Sequence, residues 1–118
     1  MKNNIVLIGM PGAGKSTVGV VLAKTLGYDF IDTDIVLSRR IGMTLQKYID
    51  RFGIDDFLMQ EERAALSLDC KNAVIATGGS MVLSGDAMRH LKSGSTTVFF
   101  DIPLRELVRR LRNIKTRG

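Results

Sequence analysis

A chain of 118 residues, 45% apolar and 25% charged, has the make-up of one soluble globular domain and is too short for two hydrophobic cores. Its formal charge of +5 asks for an anionic partner, and a phosphorylated small molecule meets that demand as well as a nucleic acid does. The cations crowd the C-terminal end, at Arg105, Arg109, Arg110, Arg112, Lys115 and Arg117, with no aromatic side chains between them, which argues against nucleic-acid binding.

In chain order, Ile5-Val6-Leu7-Ile8 is apolar at every position, as a central parallel strand must be. A glycine-rich turn follows, then Val18, Val21, Leu22 and Leu26 at helical spacing, with Gly27 as the stop. Phe30-Ile31 makes a second strand ending in Asp32-Thr33-Asp34. Helices are expected over 35–41, over 45–52 between Thr44 and Gly53, and over 55–69. Ala73–Ala76 reads as a third strand ending at Thr77-Gly78-Gly79-Ser80, followed by a helix over 85–92 and a strand over Thr97–Phe100. Pro103 opens a last helix reaching about Leu111. Alternating strands and helices predict an α/β fold, a parallel sheet with helices on both faces in three layers. Ligands of such sheets sit beyond the carboxyl ends of the strands, where Gly9–Thr17, Asp32–Asp34 and Thr77–Ser80 converge.

Gly9-Met10-Pro11-Gly12-Ala13-Gly14-Lys15-Ser16 fits G-x-x-x-x-G-K-[ST], between a buried strand and a helix. The glycines let backbone N–H groups point inward at phosphate oxygens, and the helix N-terminus adds positive potential. Lys15 brings a mobile charge to the outer phosphates, and the Ser16 hydroxyl is a hard ligand for Mg²⁺. Asp32 and Asp34, across from this loop, suit a metal site and the orientation or deprotonation of an attacking hydroxyl. The plainer reading makes Asp34 a helix cap and Asp32 a solvated strand end, and the neighbouring phosphate loop favours the functional one.

With these motifs in view, the run from Ile5 to about Arg117 resembles the shikimate kinase family of P-loop kinases. The likeness rests on Gly9–Thr17, Asp32-Thr33-Asp34, Phe57 with Glu61, Thr77-Gly78-Gly79, and Arg117. It implies that Gly12, Ala13, Gly14, Lys15, Ser16 and Thr17 bind ATP, with Ser16 and Asp32 on Mg²⁺. Asp34 would engage the acceptor hydroxyl as base, Gly78, Gly79 and Ser80 would line the acceptor site with backbone N–H groups, Arg110 would sit against adenine, and Arg117 would belong to the closing lid.

Three positions depart from the family pattern. Leu58 stands where the family carries an arginine that clamps the acceptor's carboxylate, so either Arg63 or Arg40 replaces that cation or the acceptor is not shikimate. The bland reading is that Leu58 packs into the core. Ser80 interrupts a triple glycine, and the chain stops at Gly118, where the lid begins. The expectation is a single kinase domain over 1–118, cut short at the lid. The favoured function is phosphoryl transfer from ATP to shikimate or a similar hydroxy acid. The alternatives are another hydroxyl substrate or a nucleotide-binding domain without turnover.

Other features carry less. Asp101, after Val98-Phe99-Phe100, also fits a metal-holding aspartate, but it precedes a helix start and serves equally as a cap. His90 reads as a solvated helix-end residue, and Cys70 as a small helix residue with no partner for an internal disulfide. Only four consecutive apolar residues precede Gly9, so neither a signal peptide nor a membrane span is expected. A cytoplasmic monomer, binding ATP and a small hydroxylated metabolite without membrane or nucleic acid, is the sequence-based expectation.

Overall fold

Because successive strand residues face opposite sides, an all-apolar strand needs a layer on each side. The computed structural model describes residues 3–9, 14–78 and 81–100 together with Arg109, and it supplies both layers. Strand β1 (Asn4–Gly9) lies between β3 (Ala73–Ala76) and β4 (Ser95–Phe100), and β2 (Asp29–Asp32) pairs with the far side of β3. Every pairing is parallel, in the order β2-β3-β1-β4, with Ile5 opposite Val74 and Thr96.

Val6, Ile8, Ala73 and Ile75 turn to one face, where they pack with Ala65, Ala87, Met88 and Leu91 of helices α4 (Ile54–Leu66) and α5 (Gly85–Lys92). Leu7 and Val74 turn to the other, against Ala23 and Leu22 of α1 (Lys15–Leu26). The three-layer expectation holds. Within α1, however, the buried stripe is Lys15, Gly19 and Ala23, while the expected core residues Val21 and Leu26 are half exposed. Close approach explains it: a Cβ on Gly19 would stand 2.6 Å from the Phe30 ring and 3.2 Å from Leu7. Only small residues fit a helix pressed so near a sheet.

A second, all-helical cluster lies beside the sheet. Leu37 of α2 (Thr33–Ile41), Tyr48 of α3 (Leu45–Phe52) and Phe57 and Ala64 of α4 pack together, with Leu58 against them. Thr44 caps α3 by accepting the Lys47 N–H at 3.3 Å. Tyr48 donates its hydroxyl to Asp56 at 2.9 Å, and burial, then that carboxylate, raises its pKa.

Four local expectations need correction. Helix α4 ends at Leu66 rather than at 69: the Ser67 hydroxyl donates to the Ala64 carbonyl at 2.6 Å, and the Leu68 N–H turns to Ala65, three residues back, instead of continuing the four-residue ladder. Cys70 therefore lies in the loop before β3, where Asn4 Nδ2 donates to its carbonyl at 2.9 Å. Strand β4 begins at Ser95, two residues early, since Asn4 and Ile5 of β1 extend the parallel ladder that far. His90 is partly buried, its Nε2 2.7 Å from the Leu68 carbonyl, and is not a solvated side chain. Asp101 and the helix expected from Pro103 lie outside the described residues. Among the described residues, no helix is long and apolar enough to cross a membrane.

Candidate active site

Parallel pairing brings the carboxyl ends of β1, β2 and β3 to one edge of the sheet, and the polar clusters come with them. Gly9 ends β1, and Gly14, at φ 87°, accepts the Val18 N–H at 3.0 Å as α1 starts at Lys15. That positive φ is one that glycine, with no Cβ, adopts without strain. Lys15 Nζ donates back to the Gly9 carbonyl at 2.8 Å, so the ammonium spans the mouth of the loop. Burial lowers its pKa below the usual 10.5, while the Asp34 and Asp32 carboxylates pull the other way.

Ser16, in the same helical turn, donates its hydroxyl to Asp32 Oδ2 at 3.0 Å. Asp32 Oδ1 accepts the Asp34 N–H at 2.9 Å, so Asp32 is the cap of α2, and Asp34 stands in the first turn of that helix, not at the end of a strand. The plainer sequence reading was right that Asp32 ends the strand, but Asp32, not Asp34, is the cap. Ser16 and Asp32 set two hard oxygens side by side, a donor set that fits Mg²⁺. Thr17 is exposed beside them on α1.

Asp34 keeps an exposed edge, yet loss of water around its carboxyl raises its pKa above the usual 3.8, and Asp32 adds to the rise. Lys15 opposes both. Such a carboxylate holds a proton more firmly than a solvated one. Against it lies Gly78: a Cβ there would run into Asp34 Oδ1, 3.2 Å from its Cγ, and would stand 3.4 Å from Glu61 Oε2. Glycine is required so that strand end and carboxyl can touch.

The family likeness directs the Gly78 N–H at the phosphate acceptor. In the structure this N–H donates to Thr33 Oγ1 at 2.8 Å. The sequence reading named Thr33 within the Asp32–Asp34 motif but gave it no role, because its partner lies 45 positions away and the β2–β3 pairing unites them. Thr77 fixes the same corner, donating both its N–H, at 3.1 Å, and its hydroxyl, at 2.8 Å, to the Leu7 carbonyl.

Leu58 fulfils the bland expectation by packing on the helical cluster, but it also lines a groove beside Glu61. Glu61 is only 3% exposed. The two proposed substitute cations serve other elements. Arg40 Nε reaches Gln60 at 3.4 Å, and the Arg63 charge acts on Tyr48. Gly12, Ala13, Gly79, Ser80, Arg110 and Arg117 lie outside the described residues.

A family model for shikimate kinase matches residues 11–118. The chain is 38% identical over 112 residues to shikimate kinase 2 of Sodalis glossinidius, covering 95% of this chain and 64% of that one. It is 37% identical over 114 residues to threonine synthase-like 1 of Pongo abelii, covering 96% of this chain and 15% of that longer protein. Among solved structures, shikimate kinase from Acinetobacter baumannii in complex with shikimate matches with a TM-score of 0.79 at 32% identity, over 98% of this chain and 65% of that one. The chain thus spans just under two thirds of the length of these shikimate kinases.

Proposed function

This chain belongs to the shikimate kinase family, and we propose that it transfers the γ-phosphate of ATP to a hydroxyl of a small metabolite, shikimate or a similar hydroxy acid. The observation that carries this reading is the meeting of Lys15, Ser16, Asp32 and Asp34 at one edge of the sheet, with Asp34 pressed on Gly78.

Asp34 accepts the proton of the attacking hydroxyl. A carboxylate of raised proton affinity is a better general base than a solvated one, provided that it is ionised at the working pH. Lys15 offsets the charge that gathers on the transferring phosphoryl oxygens, and its tie to Gly9 holds it at the loop mouth beforehand. Ser16 Oγ and, through water, Asp32 would hold Mg²⁺, which when bound would supply positive charge to offset that of the phosphates. Roles for Gly12, Ala13, Gly14 and Thr17 on the phosphates, for Arg110 on adenine and for Arg117 beside Lys15 rest on the family likeness. A second reading, a different hydroxyl acceptor, is favoured by Leu58, which offers a carboxylate no hydrogen bond.

The test is shikimate-dependent ADP release from Mg·ATP by the full chain. Lys15→Met should lower that rate by roughly 10²–10³-fold, the cost of losing one preorganised transition-state donor. If the rate is indifferent to this change, the site is misassigned. If ATP binds and no hydroxyl compound releases ADP, the chain is a nucleotide-binding domain without turnover.

A further inference from the structure

Successive residues of a parallel strand direct their N–H groups at opposite neighbours. At the carboxyl end of β3, the Thr77 N–H turns to β1 and meets the Leu7 carbonyl at 3.1 Å. The next N–H, that of Gly78, turns to the β2 side. There the ladder stops at the Asp32–Ala76 pair, because the chain enters α2 at Thr33. A side chain takes over from the backbone: Thr33 Oγ1 accepts the Gly78 N–H at 2.8 Å. Both residues are buried, Thr33 to 2% exposure, so bulk water offers that N–H no ready substitute.

This bond lies against the proposed base. Asp34 follows Thr33 directly, its N–H is tied to Asp32 Oδ1 at 2.9 Å, and its carboxyl rests on Gly78, where an added Cβ would run into Oδ1. Asp32 thus holds the backbone of Asp34, and Thr33 holds the surface on which its carboxyl leans. We infer that Thr33 is a positioning residue for phosphoryl transfer: by clamping Gly78 to the start of α2, its hydroxyl sets the Asp34 carboxyl at the attacking hydroxyl of the acceptor. A β-branched side chain suits the task, because a second group on Cβ restricts its χ1 rotation. The inference rests on the kinase reading for the role of Asp34.

Two variants of the full chain test it: Thr33→Val keeps the shape and removes the acceptor, and Thr33→Ser keeps the acceptor. Thr33→Val should lower kcat/KM for shikimate by about ten- to a hundredfold, the scale of a small misplacement of a reacting group, and leave the KM for Mg·ATP within about twofold. Thr33→Ser should recover most of that loss. Amide hydrogen exchange without ligand should find the Gly78 N–H protected in the parent and at least about tenfold faster in Thr33→Val. An unchanged kcat/KM in Thr33→Val, an equal loss in Thr33→Ser, or a matching loss of Mg·ATP affinity overturns the inference. Should Thr33→Val fail to fold, an unprotected Gly78 N–H in the parent, or a tenfold loss in Thr33→Ser, still overturns it. A parent chain that binds ATP but releases ADP with neither shikimate nor another hydroxyl compound defeats the kinase reading, and the exchange comparison then decides the Thr33 clamp by itself.

Discussion

At the phosphate end, Lys15 and Ser16 ride on a helix pressed against the sheet through Gly19 and Ala23, and their partners are a strand carbonyl and a strand-end carboxylate. At the acceptor end, Glu61 and Leu58 ride on α4, seated on a separate helical cluster of Leu37, Tyr48, Phe57 and Ala64. The first end is shaped by backbone and sheet, so few side chains are free to change there. The second is shaped by side chains on a helix, where one replacement alters the surface and leaves the phosphate loop alone. Among the described residues, the two ends meet where Asp34 touches Gly78.

The sharpest way to break this division is at the meeting point. Asp34→Asn should lower turnover by about 10²–10⁴-fold, the range for a lost general base, with Mg·ATP affinity kept. In the parent chain the rate should fall as pH drops through an Asp34 pKa above 3.8, and the variant should lose that limb. Stability should move oppositely. The folded state binds this proton more tightly than the unfolded one, so the stabilisation is complete below the unfolded pKa and is lost as pH rises through the raised folded one. Asp34→Asn should accordingly raise the melting temperature of the nucleotide-free chain at neutral pH.

Phe57→Ala, in the middle of the helical cluster, should cost about 3–5 kcal/mol in thermal or denaturant unfolding. If acceptor and nucleotide binding collapse together before the chain unfolds, the two ends are not separately supported. Gly78→Ala should raise the acceptor KM by roughly tenfold by pushing the Asp34 carboxyl aside, a small misplacement with a large effect. An equal loss in ATP affinity would contradict the comparison. The smallest effect belongs to Thr44→Ala, which removes the α3 cap and should cost about 1 kcal/mol in a melting experiment, with ATP affinity unchanged.

Much of this could be read before any coordinates. The phosphate loop is a contiguous string whose residues act on one ligand, and the strand–loop–helix context around it is visible in the consecutive apolar or small positions from Ile5 to Gly14 and the helical spacing that follows. The acceptor side was legible only in outline. Asp34 was named, but its place in the first turn of α2 depended on which carboxylate the helix start used as its cap, and that is Asp32. Thr33 carried no local signal, and Val21 and Leu26 looked like core until Gly19 brought α1 so close to the sheet that larger residues were turned outward.

By itself, the sequence determined the alternation of strands and helices, the parallel sheet that follows from it, and the phosphate-binding chemistry at Gly9–Ser16, because those depend on residues near one another along the chain. Tertiary structure decided which carboxyl is raised in pKa, what the Gly78 N–H is bonded to, and where Arg40 and Arg63 spend their charge. The Arg40–Gln60 and Gly78–Thr33 bonds cross 20 and 45 positions, contacts that sheet order and helix packing create and that no local pattern encodes.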